Sequence, residues 1–153
     1  MPAASAEIAS VAGRIFSPAG EGFSVLMPPG DVQTKTTDAA KVHILVTSDG
    51  TQFLASCDAV PPASIPSVQL AGFKAGLLRP LTLTEDEPVT VGKAEGSQFT
   101  GTRERNGRTF WIHGRVLGDA ERVCAFIATV PKGIDNSRAA TEYVRSAKLS
   151  SDS

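Results

Sequence analysis

The Asn106-Gly107 pair constrains the fold more than any other feature of this sequence. It separates two runs in which apolar and polar residues alternate, and in that setting Asn-Gly is the strongest short-range signal for a two-residue hairpin turn. The turn sets the strand register by pairing Arg105 with Arg108. We therefore expect this segment to form the middle of an antiparallel sheet.

The same register divides the hairpin side chains between two faces. One face holds the pairs Arg103 with Phe110, Gly101 with Ile112 and Phe99 with Gly114. The other face holds Thr102 with Trp111 and Thr100 with His113. The first face is apolar and is predicted to rest on a core, whereas the second is polar around the single tryptophan.

A second reversal, at Gly118-Asp119-Ala120-Glu121, is predicted as a four-residue loop with Leu117 opposite Arg122. The next strand then brings Phe126 to the face of Trp111 and His113. Two interpretations of this apolar island remain open. A helix covers it as core, or it is a patch with a polar rim that suits a protein segment or a small hydrophobic ligand.

Other strands follow from turn signals and alternation. Phe23 to Met27 alternates, and Val32 to Thr37 reads as an edge strand. An Asp49-Gly50 turn with Ser48 opposite Thr51 predicts a further hairpin. Its core face would comprise Val42, Ile44, Val46, Phe53, Ala55 and Cys57.

Two helices are expected. Pro66 opens the first, in which Leu70, Phe73 and Leu77 repeat at helical spacing, with Gly72 and Gly76 allowing close approach to the sheet. Short strands should flank an acidic turn at Glu85-Asp86-Glu87-Pro88. The closing helix carries an inner stripe of Ala140, Tyr143, Val144 and Ala147.

Length and charge limit the possible functions. With 153 residues the chain is expected to form one domain over residues 14–149, with tails at 1–13 and 150–153. A net charge of -1 favours no nucleic acid partner, and no run approaches a membrane span. The basic residues cluster only at Arg103, Arg105 and Arg108, which form either a solvated edge or a contact for an acidic partner.

No catalytic, cofactor or metal site is predicted. His43 and His113 are too few for a histidine-rich centre and lie in no metal-binding motif. His43 is expected at the surface, on the face opposite Cys57. A thiol nucleophile at Cys124 beside His113 is conceivable, but a buried inert thiol is the more common arrangement.

Cys57 and Cys124 both lie in predicted strands. They are either two small buried hydrophobes or one disulfide that joins distant strands of an exported protein. A periplasmic or exported location is favoured over the cytoplasm. The Ala- and Ser-rich start is either native or the remainder after a methionine replaced a leader.

The order of these pieces resembles the PsbP-like family. The likeness rests on Phe-Ser-Val-Leu-Met-Pro at Phe23 to Pro28, on Val91-Gly92-Lys93-Ala94-Glu95-Gly96 before the long hairpin, and on the closing helix. It implies an α+β fold, an antiparallel sheet of about six or seven strands with helices on its faces, in an α/β/α sandwich.

The resemblance also implies binding and assembly rather than catalysis, without a cofactor. We expect a non-catalytic binding or accessory domain whose partner is another protein, in a bacterial envelope complex. The alternatives are a carrier of small hydrophobic ligands, with its pocket between sheet and helix, and a chaperone-like binder of a secreted effector segment.

Overall fold

Ten strands and two helices make up residues 13–37 and 40–150, the part of the chain that the computed structural model describes. The strands are β1 (Arg14–Phe16), β2 (Phe23–Met27), β3 (Gln33–Thr36), β4 (Lys41–Val46), β5 (Gln52–Ala59), β6 (Thr82–Val91), β7 (Ala94–Arg105), β8 (Arg108–Gly118), β9 (Arg122–Pro131) and β10 (Lys148–Leu149). The helices are α1 (Pro66–Leu78) and α2 (Ser137–Ser146). Of the expected tails, residues 1–12 and 151–153 lie outside the described residues.

The strands form two sheets. The large sheet has seven strands in the order β3-β4-β5-β9-β8-β7-β6, and the small sheet has the order β1-β2-β10. Neighbouring strands pair antiparallel throughout. With a helix packed on each face of the large sheet, the α+β class expected from the sequence is confirmed.

The β7–β8 hairpin has the predicted register. Arg105 pairs with Arg108 and Phe99 with Gly114. Asn106 and Gly107 take positive φ values of 54° and 75°, as a type I′ turn requires. The central strands of the large sheet are therefore aligned by this turn.

The first face of the large sheet packs against α1. Phe99, Ile112 and Val116 are buried there, with Leu70 and Phe73 of α1 packed against them. No residue of α1 itself is buried, so this layer is loose. The expected close approach of Gly72 and Gly76 to the sheet is wrong, because a Cβ at either position would meet no atom within 4 Å.

The second face carries the larger core, under α2 and the small sheet. Phe126 packs against Phe23 with ring centroids 5.4 Å apart, and Phe53 packs against Tyr143 at 5.1 Å. The inner stripe predicted for α2 is confirmed. Its members, Ala140, Tyr143, Val144 and Ala147, are all buried.

The predicted β4–β5 register is wrong by one residue. Thr47 and Thr51 close a three-residue loop in which Gly50 has φ of 90°, and Asp49 accepts a hydrogen bond from the Thr51 amide. A one-residue shift reverses the faces of β4 relative to β5. Leu45 is therefore in the core, and Val46 is 60% exposed.

The β8–β9 turn has two loop residues instead of the predicted four. Asp119 accepts hydrogen bonds from the amides of Glu121 and Arg122, which tightens the turn and pairs Leu117 with Cys124. The register moves by two residues, so every side chain keeps its predicted face.

The acidic residues Glu85, Asp86 and Glu87 do not form a turn. They lie within the continuous edge strand β6, which contains one irregularity between Leu83 and Glu85. Pro88 is compatible with this assignment because an edge strand has one side without ladder hydrogen bonds.

Cys57 and Cys124 form a disulfide between directly paired positions of β5 and β9, with Cα atoms 4.0 Å apart. The one-residue correction in the β4–β5 hairpin leaves the face of β5 unchanged. The bridge therefore lies on the second face, beside the main core.

Gly114 is predicted to tolerate no side chain. A Cβ there would lie 2.3 Å from the Phe99 ring, so Gly114→Ala should reduce the free energy of unfolding by about 1–3 kcal/mol through overpacking. Gly72→Ala is the matched control and should raise it by up to ~1 kcal/mol, because its site is open and helical. Urea unfolding measures both, and a neutral Gly114→Ala would contradict the register.

The disulfide is predicted to stabilise the fold through the unfolded chain. It closes a separation of 67 residues, for which the loop-entropy relation gives about 4 kcal/mol. Urea unfolding of the oxidised protein and of a Cys57→Ala, Cys124→Ala double variant measures the difference. Dithiothreitol should lower the midpoint of the wild type and leave that of the double variant unchanged, and equal stabilities would contradict the prediction.

Candidate functional site

The apolar island expected around Trp111 is divided in the structure. Phe126 is fully buried beneath α2 and the small sheet, so the interpretation as core holds for this residue. Trp111 remains 42% exposed on the same face. His113, two residues further along β8, is half-buried and lines a cleft.

The three arginines of the predicted surface lie at the tip of the β7–β8 hairpin, on the opposite face from Trp111. Arg103, Arg105 and Arg108 are exposed, and within residues 13–37 and 40–150 none of them forms an ion pair. The Arg108 guanidinium lies 5.9 Å from the centre of the Phe110 ring. We call Arg103, Arg105, Arg108 and Trp111 the hairpin tip.

Two rows of polar side chains cross β6, β7 and β8 on the second face. The first row runs Glu85, Thr100, His113, and the second runs Glu87, Gln98, Arg115. Thr100 donates a 3.3 Å hydrogen bond to the Glu85 carboxylate. The rows place two carboxylates at the sheet edge and a histidine and an arginine two strands further in.

Helix α2 packs on the β8 end of these rows, and beside it lies a cleft of about 200 Å³ that opens to solvent at the exposed Glu85, Glu87 and Arg145. Thr141, Val144 and Arg145 line it from above, since residues three and four positions apart share one side of a helix. We call the space bounded by Glu85, Glu87, Thr100, His113, Thr141 and Arg145 the polar cleft.

Arg115 supports the polar cleft from below. It is buried, and its guanidinium donates to the Gln98 side chain at 2.6 Å and to the backbone carbonyls of Arg145 and Ala147. These carbonyls end α2, where a cation is favoured by the helix dipole. Burial lowers the pKa of Arg115, and the neighbouring Arg145 charge lowers it further.

His113 lies where burial and charge act in opposite directions. Burial lowers the pKa of its imidazole, and the nearby Glu85 carboxylate opposes that shift in part. The net pKa lies below the ordinary value of 6.5. At neutral pH the polar cleft therefore contains a neutral imidazole, which both donates and accepts hydrogen bonds.

His43 is buried, which corrects its expected place at the surface. The shifted β4–β5 register turns it to the face of Cys57, where Nε2 lies 2.7 Å from Glu21 and Nδ1 lies 2.8 Å from Thr34. Both ring nitrogens therefore have partners. Through these two hydrogen bonds, His43 of β4 links the loop before β2 to strand β3.

Neither a metal cluster nor a spanning helix is found in the part of the chain that the structure describes. No three His, Cys, Asp or Glu side chains are grouped so as to hold a metal ion. No helix there is long and apolar enough to cross a membrane.

Comparison with known proteins identifies the fold but not the family. No protein-family model matches the sequence, and no curated protein matches it. LpqN of Mycobacterium tuberculosis, a protein involved in cell envelope biogenesis, is similar in structure with a TM-score of 0.60 at 14% identity, over 90% of both chains. A Bacteroides thetaiotaomicron protein gives 0.56 at 18% identity over 90% of this chain, which spans 48% of that protein's length.

Sequence reasoning found His113 but missed the other members of the polar cleft. The sequence places Glu85 and Glu87 in a turn, where alternate residues are not expected to share a face. Three acidic residues followed by Pro88 show no apolar–polar alternation, so the sequence carries no local signal for this strand. Arg145 gave no signal, because its position depends on how α2 crosses the sheet.

The lowered pKa of His113 predicts a loss of stability in mild acid. The unfolded chain binds the proton more readily than the folded one, so the contribution is present above about pH 6.5 and is lost as the pH falls through the folded value. Thermal unfolding between pH 7.5 and 5 should show a steeper loss for the wild type than for His113→Gln. An NMR titration in which the His113 ring has a pKa of 6.5 or higher would contradict this.

Proposed function

We propose that this chain is a non-catalytic binding domain of PsbP-like fold that docks to a partner protein in a bacterial envelope assembly. The observation that carries the proposal is the hairpin tip, which exposes the single tryptophan and three arginines that form no ion pair with any residue the structure describes. Trp and Arg are the side chains most enriched at energetically important interface positions.

The chemistry of the tip favours an acidic partner segment. The three arginines outnumber the one acidic residue among them, Glu104, and all four are exposed. Arginine recognises carboxylates through bidentate hydrogen bonds, while Trp111 offers an apolar contact on the other face of the same two strands. A partner that clasps the end of the hairpin would use both.

A non-enzymatic role is supported by the state of the cysteines. Cys124 is the fully buried half of the disulfide, so it has no free thiol to act as a nucleophile beside His113. A location outside the cytoplasm is supported by the same bond, because disulfides persist in oxidising compartments. The fold shared with LpqN is compatible with an envelope role.

A pull-down from envelope extract tests the docking site. Wild-type protein should retain a defined partner, and Trp111→Ala and the combined Arg103, Arg105, Arg108→Ala variant should each lose it. Isothermal titration calorimetry with the purified partner should show binding at least about tenfold weaker for each variant than for the wild type, as expected when an interface hot spot is truncated.

Lys35→Ala and Val46→Ala are the matched controls. Both residues are exposed, and they lie on β3 and β4 respectively, near the opposite edge of the large sheet from the β7–β8 hairpin. Both variants should bind as the wild type does. A partner held equally well by all four variants would place its docking site elsewhere and overturn the proposal.

A carrier of small hydrophobic ligands is a second candidate, favoured by the loose packing of α1. A cavity of about 340 Å³ lies between this helix and the sheet, with Leu70, Ala71, Val89 and Val116 in its lining. Native mass spectrometry of the purified protein tests this candidate, since a copurifying apolar ligand would support it.

A further inference from the structure

The polar cleft separates charges of opposite sign that do not pair with each other. Glu85 and Glu87 form one wall, roughly 7 Å apart along the edge strand. Arg145 lines the same cavity from α2. Within residues 13–37 and 40–150 no ion pair joins Arg145 to either carboxylate, although all three side chains face one space of about 200 Å³.

At the positive end of the cleft, neither Arg115 nor Arg145 forms an ion pair with a carboxylate of the described residues. Arg115 lies behind Arg145, and its hydrogen bonds go to neutral oxygens of Gln98 and of the α2 backbone. The two like charges raise each other's energy, and the pKa of Arg115 is lowered in part by Arg145. An anion beside Arg145 would reduce the electrostatic repulsion between these two positive charges.

The negative end of the cleft, formed by Glu85 and Glu87, also has few partners among the described residues. Its hydrogen-bond donors within the described residues are limited to the Thr100 hydroxyl, which reaches Glu85 at 3.3 Å. Asp86, on the opposite face of the same strand, has its cation in Lys74 at 3.0 Å. Glu85 and Glu87 form no ion pair within residues 13–37 and 40–150, and a cation between them would be attracted by both carboxylates.

We propose that the polar cleft binds a small zwitterion, with the ligand's ammonium group between Glu85 and Glu87 and its anionic group on Arg145. The three side chains line one space of about 200 Å³, which suits a ligand of amino-acid size. Thr100, Thr141 and the neutral His113 supply hydrogen bonds along its length. This site is separate from the hairpin tip.

The ammonium-and-anion chemistry has two sources, free amino acids and phosphoethanolamine headgroups. Titration of ¹⁵N-labelled protein with lysine and with phosphoethanolamine, followed by NMR, distinguishes them. At least one should give saturable shifts at the amides of Thr100, His113 and Thr141. Ethylamine or acetate alone, at the same concentration, should give none.

Arg145→Gln and Glu87→Gln should each raise the Kd by about tenfold, the typical loss for one hydrogen bond to a charged group. Arg138→Gln, on the solvent side of the same helix, should leave it unchanged. Thr141→Val provides an independent variant that keeps every charge, and melting temperatures establish that each variant is folded. Absence of saturation by both probes, equal binding of the half-ligands, or unchanged affinity in the cleft variants would overturn the proposal.

Discussion

The packing of Phe99 against Gly114 is the contact on which the central sheet depends. The absence of a side chain at Gly114 leaves room for the ring, which is only 1% exposed. A pairing shifted by two residues would place Ile112 or Val116 opposite Phe99 and fill this space with a side chain. The Asn106-Gly107 turn and this contact require the same register, so local and tertiary preferences agree.

The sequence predicts the faces of this sheet better than its loops. At the β8–β9 turn the expected loop was two residues too long, yet Phe126 and Cys124 kept their faces because side chains alternate with a period of two. At the β4–β5 turn the predicted register is wrong by one residue. It therefore places Val46 in the core instead of Leu45, and it places His43 at the surface although His43 is buried. The cause is Asp49, whose carboxylate bonds the Thr51 amide and stabilises a three-residue loop. Hairpin length depends on such side-chain hydrogen bonds, which alternation does not reveal.

The polar cleft was harder to predict than the core for a physical reason. Core residues are hydrophobic, so the alternation of hydrophobic side chains along a strand reveals them in the sequence. A cleft residue such as Arg145 differs from any surface arginine only in what lies opposite, which depends on the strand order and on the path of α2. Trp111 and Phe126 show the same limit, because both are aromatic residues on one face and only the position of α2 and the small sheet makes one exposed and the other buried.

Arg115 connects the stability of the fold to the character of the cleft. Its guanidinium needs acceptors because it is buried, and the end of α2 provides two carbonyl oxygens that would otherwise lack helical partners. The side-chain oxygen of Gln98 is the third acceptor of the Arg115 guanidinium. Because Arg115 is held by these three acceptors, it is not free to neutralise the nearby Glu87. The solution that satisfies the core therefore leaves positive charge at the α2 end and negative charge at the β6 edge. The position of Arg145 relative to Glu85 and Glu87 therefore follows from how Arg115 holds the end of the helix on the sheet.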